Sequence, residues 1–247
     1  MAAVSLLRTE GLCRYFGGLR AVDDVSFSLD AGEIRAIIGP NGAGKTTFVS
    51  LICGRVLPTA GRIAFEGRDI SGLPAFRRVG LGIAYTFQIT SIFGNLTVFD
   101  NVALAVQNSM QRGGGSGLWL DERAMAASVR EALDRVGLHD RTDARASTLS
   151  YGHQRLLEVA MGLALTPKLL ILDEPTQGLS DAEIAGFCDL VREIARDATV
   201  LLIEHNMDVV MDLASRITVM NNGTILSEGS PEEIRADAAV QRAYLGT

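Results

Sequence analysis

The sequence predicts an α/β fold, a sheet interrupted by an inserted helical lobe. Three observations carry that expectation. Strand-like apolar runs alternate with helical periodicity in the first and last thirds of the chain, whereas the middle reads mostly as helix. A glycine-rich segment follows one compact apolar run without any spacer. At 247 residues, 47% apolar and 21% charged, the chain can also bury the core of one large domain.

The elements follow in order. Val25, Phe27 and Leu29 alternate with polar residues, as on a half-buried strand. Ile34 to Ile38 forms a compact apolar strand, and Arg62–Phe65 and Ile83–Phe87 add two more. Met125, Val129, Leu133 and Val136 recur at helical spacing, with Gly137 as a stop. Ahead of that helix, Arg112-Gly113-Gly114-Gly115-Ser116-Gly117 reads as a surface loop.

The last third predicts a strand at Leu169–Leu172 and a helix from about Asp181 to Arg196. That helix has a stripe of Ile184, Phe187, Val191 and Ile194, and Ser180 and Glu183 stand at capping-box spacing. Strands follow at Thr199–Ile203, Ile217–Met220 and Thr224–Leu226. Ser230, Pro231 and Glu233 open one C-terminal helix over about 231–247. The expected organisation is a single domain over 1–247. Its core takes 1–92 and 159–230, and its helical part about 93–158.

Charge and composition exclude several classes. A net charge of −6 argues against a nucleic-acid partner, because such affinity comes largely from Lys and Arg neutralising phosphates. No apolar run approaches the roughly 20 residues that span a bilayer. Met1 to Glu10 lacks the pattern of a signal peptide, which points to the cytosolic side. Cys13, Cys53 and Cys188 are odd in number and far apart, so they read as small buried hydrophobes rather than a disulfide or metal framework.

Gly39-Pro40-Asn41-Gly42-Ala43-Gly44-Lys45-Thr46 is the P-loop pattern, with a strand before it and a helix after. Its glycines let successive N–H groups curl around phosphates, where the helix N-terminus adds its positive end. Lys45, one of only two lysines, supplies a point charge there; Thr46 offers a hydroxyl to Mg²⁺, and Thr47 continues the cradle. Leu169-Leu170-Ile171-Leu172-Asp173-Glu174-Pro175 places two carboxylates at the C-terminal end of a buried strand, where α/β sheets bind ligands. Asp173 is expected to hold Mg²⁺, and Glu174 to act as general base on an attacking water.

At this point the sequence resembles, over essentially its whole length, the nucleotide-binding subunit of an ATP-binding cassette (ABC) transporter. Leu149-Ser150-Tyr151-Gly152-His153 looks like the family signature, with Tyr151 replacing a glycine and His153 a glutamine. The resemblance makes Gln88 the glutamine that reaches Mg²⁺ and the attacking water. It makes His205 the switch histidine at the γ-phosphate and Phe16 the ring stacked on adenine, with Tyr15 as the fallback. Gly178-Leu179-Ser180-Asp181 is similar to the D-loop, with Ser180 where most relatives carry aspartate. His139 is left as a surface residue.

The resemblance implies a P-loop NTPase fold: a RecA-like core with an antiparallel β subdomain, plus an inserted α-helical subdomain. It implies ATP and Mg²⁺ as cofactors and a head-to-tail pair with a second ATPase, the same chain or another. In that pair Ser150 and Gly152 complete the partner's site in trans. It further implies two membrane permease subunits, docked near Gln88–Asn101 on an apolar floor drawn from Ile89, Ile92, Phe93, Leu96 and Phe99, some of which must instead be core, and a location on the cytoplasmic face of the inner membrane.

Tyr85-Thr86-Phe87-Gln88, Leu96-Thr97-Val98, Leu202-Ile203-Glu204-His205-Asn206-Met207 and Ala243-Tyr244-Leu245-Gly246 look like the longer ATPase of the branched-chain amino-acid importers, which work with a periplasmic solute-binding protein. The alternative is an ATPase of lipid or lipopolysaccharide export.

Overall fold

In this computed structural model residues 5–86, 91–112 and 121–245 are described. The chain opens with β1 (Ser5–Phe16), β2 (Leu19–Asp30), β3 (Ile34–Ile38) and α1 (Lys45–Cys53). It continues through β4 (Ala60–Phe65), β5 (Arg68–Asp69), α2 (Ala75–Val79) and β6 (Ile83–Thr86). Three helices follow, α3 (Val98–Arg112), α4 (Glu122–Arg135) and α5 (Tyr151–Leu163). The alternation then resumes with β7 (Leu169–Asp173), α6 (Asp181–Ile194), β8 (Thr199–Ile203), α7 (Met207–Leu213), β9 (Arg216–Asn221) and β10 (Thr224–Gly229). Two short helices, α8 (Pro231–Ala236) and α9 (Ala238–Leu245), close the chain.

Two sheets form. One is antiparallel, in the order β2-β1-β4-β5; the other runs β10-β9-β3-β8-β7-β6, parallel except for its β10 edge. Strand periodicity divides the large sheet into two faces. Leu169, Ile171, Leu201 and Ile203 join Phe48, Leu51 and Ile52 of α1 and the antiparallel sheet in one cluster. Leu170, Leu172, Val200 and Leu202 join the helical side, with Val102 of α3, Leu133 of α4, Leu157 of α5 and Val191 of α6. Because β7 and β8 are covered on both faces, every residue in them is buried.

Two expectations need correction. The boundary placed at residue 158 falls inside α5, whose Leu157 and Ala160 belong to the same apolar cluster as strands β7 and β8. The lobe and that face of the core thus share one hydrophobic interior. The single C-terminal helix is two helices. Asp237 interrupts it, accepting the N–H groups of Ala239 and Val240 on Oδ1 and the Ser227 hydroxyl on Oδ2, so that it starts α9 by capping instead of continuing α8. Both capping boxes are present in the bonds from Ser180 and Ser230 N–H to the carboxylates of Glu183 and Glu233. The three cysteines are buried and free, and burial pushes the Cys53 thiol up to about 12.

Candidate functional site

The C-terminal ends of β3, β7 and β8 lie side by side, because Ile37 and Asp173 both register against Ile203 of the central strand. Three loops therefore leave the sheet at one level: Gly39–Gly44 after β3, Glu174 onward after β7, and Glu204 onward after β8. This is the crevice where parallel sheets hold ligands.

The glycine loop closes onto α1 through the Ala43 N–H to the Pro40 carbonyl (3.1 Å) and the Phe48 N–H to the Gly44 carbonyl (2.8 Å). Gly44 sits at φ 98°, and a Cβ there would stand 2.3 Å from the Ala21 carbonyl oxygen, so the start of β2 presses directly on the loop. The Lys45 ammonium donates to the carbonyls of Gly39 (2.6 Å) and Pro40 (3.2 Å), folded across its own loop. Burial lowers its pKa, and Glu174 and Asp173 partly offset this. Thr46 is exposed at the helix start.

Asp173 is 1% exposed and accepts the Tyr85 hydroxyl at 2.7 Å on Oδ2. Burial raises its carboxyl, while the Tyr85 bond lowers it, Glu174 raises it further, and Lys45 and Arg155 lower it. At Glu174 the backbone turns left-handed, with φ 48°, and its N–H donates to the Ile203 carbonyl at 2.8 Å. That turn breaks strand alternation, which is how adjacent residues can serve one crevice. His205 is exposed on the neighbouring loop, with Nδ1 3.8 Å from Glu204 Oε2.

Phe16 lies at the end of β1, 44% exposed, with the Arg14 guanidinium 4.4 Å from its ring centre. Tyr15 is instead tied down, its hydroxyl donating to Asp23 at 2.7 Å. Ser150 and Gly152 stand at the start of α5, away from these bonds: the Ser150 hydroxyl meets His153 Nδ1 at 2.8 Å, and Gly152 abuts Glu183. The Tyr151 ring covers Gly178. His139 is exposed. Gln88 and Ile89 lie outside the described residues.

Of the apolar residues expected near the docking segment, some are exposed and others are core. Phe93 and Leu96 are exposed, but Ile92 and Phe99 pack into the core and Asn101 is buried in bonds to the backbone of Phe93 and Thr97. Beside them a cleft of about 330 Å³ is lined by Ser91 and by residues of α2, β6, α3 and α5, among them Phe76, Tyr85, Leu104 and Met161. Sequence reading also missed Tyr85 and Glu204 as site residues; a carboxylate ending a fully buried strand was the available signal for the second.

The comparisons agree with this geometry. A family model described as ABC transporter matches residues 22–177, and one described as branched-chain amino acid ATP-binding cassette transporter matches 224–247. High-affinity branched-chain amino acid transport ATP-binding protein LivG of Salmonella typhimurium is 42% identical over 250 residues, covering 98% of both chains. BraF of Pseudomonas aeruginosa is 37% identical with the same coverage. Among solved structures, a nucleotide-free ATP-binding cassette from an ABC transporter superposes with TM-score 0.88 at 31% identity, over 98% of this chain and 100% of that one. The ADP conformation of an ATP-binding cassette of an ABC transporter gives 0.86 at 30% identity, over 98% and 99%. Likeness along the entire length, with the nucleotide loop and the two carboxylates at adjoining strand ends, identifies the chain as a member of the ABC transporter family, one of its ATP-hydrolysing cassettes.

Proposed function

We propose that this ATPase powers the import of branched-chain amino acids or similar small solutes, through two membrane subunits and a periplasmic solute-binding protein. The chain-long 42% identity to LivG carries the reading and favours import over lipid export. Among the described residues no helix is long and apolar enough to cross a membrane, so passage belongs to other subunits. The cleft beside β6 is the surface offered to them, at the cytoplasmic face of the inner membrane.

Backbone N–H groups of the loop from Gly39 to Thr47, with Lys45, hold the ATP phosphates, and Phe16 stacks on adenine. Glu174 takes a proton from the water that attacks the γ-phosphorus as the bond to the bridging oxygen breaks. Gln88 orients that water, and His205 donates to a γ-phosphate oxygen. Thr46, Gln88 and, through water, Asp173 would hold Mg²⁺. One hydroxyl and one buried carboxylate, with no cluster of three His, Cys, Asp or Glu among the described residues, suit a small cation that keeps waters and phosphate oxygens as its other ligands. Bound there, Mg²⁺ neutralises charge on the phosphates. Ser150 and Gly152 of a second cassette, the same chain or a shorter relative, complete the site in trans. ATP thus closes the pair, and its hydrolysis reopens it.

Purifying the tagged chain from native membranes in mild detergent tests this. Two unlike permeases and a second ATPase, identified by mass spectrometry, support it; lipid-export subunits, or recovery only as a soluble chain, overturn it. In parallel, Glu174→Gln should trap an ATP-bound pair, and unchanged turnover would refute the base assignment.

A further inference from the structure

The Glu204 carboxylate is 1% exposed and lies between two loops of the site. Its Oε1 accepts the backbone N–H of Thr176 at 3.0 Å and also the Thr176 hydroxyl. Its Oε2 accepts the N–H groups of His205 at 2.9 Å and Asn206 at 3.1 Å. Thr176 is two residues beyond Glu174, so one side chain joins the loop after β7 to the loop after β8. The Glu174 N–H to the Ile203 carbonyl adds a second tie between the same segments.

A carboxylate has about four acceptor positions, and four donors use them here. With both oxygens so occupied, Glu204 has no open acceptor position to offer a further donor. Its chemistry suits a clamp instead.

We propose that Glu204 is a positioning residue, holding the loop of Glu174 and the loop of His205 in a single geometry so that proton acceptor and γ-phosphate donor stay in register. The proposal rests on the roles given above to Glu174 and His205. It differs from them in assigning Glu204 no contact with ATP or water.

The test uses the full chain with MgATP, comparing wild type, Glu204→Gln, Thr176→Val, the double variant and Glu174→Gln. A glutamine places N–H groups against donors on one side of the clamp. We expect Glu204→Gln to lower kcat on the order of tenfold or more with KM for ATP within about twofold, the pattern of lost alignment rather than lost binding. Thr176→Val removes only the hydroxyl donor and should lower kcat by roughly two- to fivefold, with little added loss in the double variant. Should Glu204→Gln fail to fold, Thr176→Val alone decides the matter through the same kcat-against-KM split. An unchanged kcat per folded molecule, a rise in KM alone, or additive losses in the double variant would overturn the clamp while Glu174→Gln remains inactive. Full turnover in Glu174→Gln would instead overturn the reading of the site, and the clamp with it.

Discussion

The Tyr85 hydroxyl donates a 2.7 Å hydrogen bond to Asp173 Oδ2, while the same tyrosine lines the apolar cleft between α2, α3 and α5. One side chain therefore touches both the carboxylate assigned to Mg²⁺ and the surface assigned to the membrane subunits. The parallel pairing of β6 with β7 sets this reach, Tyr85 standing opposite Ile171, two residues short of Asp173. Burial first, and then the bond to Asp173, drive the Tyr85 phenol far above its ordinary range, since ionising it would set a second buried anion beside the carboxylate.

Asp173→Asn should make the nucleotide-free protein more stable at neutral pH. Burial, the dominant influence, raises the Asp173 carboxyl above its unfolded value. A group shifted in that sense contributes stability below its unfolded pKa and loses it as pH rises through the folded one. At pH 8 the ionised aspartate is then a net cost that asparagine avoids, while still accepting from Tyr85. Thermal unfolding should show a gain of roughly 2–4 °C, the size of about 1 kcal/mol in a domain this large. The gain should shrink as the pH is lowered toward 4, while Mg²⁺-dependent hydrolysis is lost at every pH. Tyr85→Phe should do the reverse to stability, costing about 1–2 kcal/mol.

Arg78 should be the most costly single loss in the half of the core that carries the nucleotide loop. It is fully buried, and its guanidinium donates to the carbonyls of Leu51 (2.6 Å) and Ile52 (2.9 Å) at the end of α1, and of Leu73 (2.9 Å) and Ser71 (3.0 Å). A cation at those carbonyls also opposes the negative end of the helix. Arg78→Met removes the guanidinium donor from four buried carbonyls at once, and urea unfolding should show a loss of about 3 kcal/mol or more. Burial lowers the guanidinium to about 10, so it is protonated from pH 6 to 8 and the loss should be constant across that range.

Residues such as Arg78 show where sequence reading stops. The phosphate loop was legible because its requirements are local: glycines, a lysine and a threonine within eight positions, between a strand and a helix. The strand-end carboxylates at 173 and 174 were legible for the same reason. Arg78, Tyr85 and Glu204 act on Leu51, Asp173 and Thr176, which are 27, 88 and 28 positions away, and no spacing rule links such partners. The lobe boundary was misread because periodicity marks α5 as a helix but does not reveal that its apolar face serves lobe and sheet together. The final helix was misread because Asp237 carries a capping role that only the Ser227 and Ala239 contacts reveal.

Gly42 and Gly44 should respond differently to alanine, although both have positive φ. At Gly44 the new methyl would lie 2.3 Å from the Ala21 backbone carbonyl oxygen, whereas at Gly42 nothing stands within 4 Å. Gly42→Ala therefore pays backbone strain alone, about 1–2 kcal/mol. Gly44→Ala must also displace β2 from the loop, and its urea midpoint should fall well below that of Gly42→Ala. Equal midpoints would show that β2 yields easily and that its contact with the loop is not structural.

Phe76 should be needed for attachment to the membrane subunits. Its ring is 67% exposed on α2 and, with Leu104 at 44%, forms the apolar rim of the cleft that Tyr85 lines. Exposed aromatic area of that kind gains about 1.5–3 kcal/mol when a partner covers it. Phe76→Ser should accordingly weaken recovery with the membrane proteins by roughly tenfold or more, read as permease retained per ATPase in the detergent purification. Circular dichroism should show the wild-type fold, because the ring is mostly exposed. Leu104→Ser, on the opposite wall, should weaken recovery in the same sense. If both variants retain the permeases at the wild-type ratio, docking uses another face, and the link from cleft to Asp173 through Tyr85 carries no signal from the membrane.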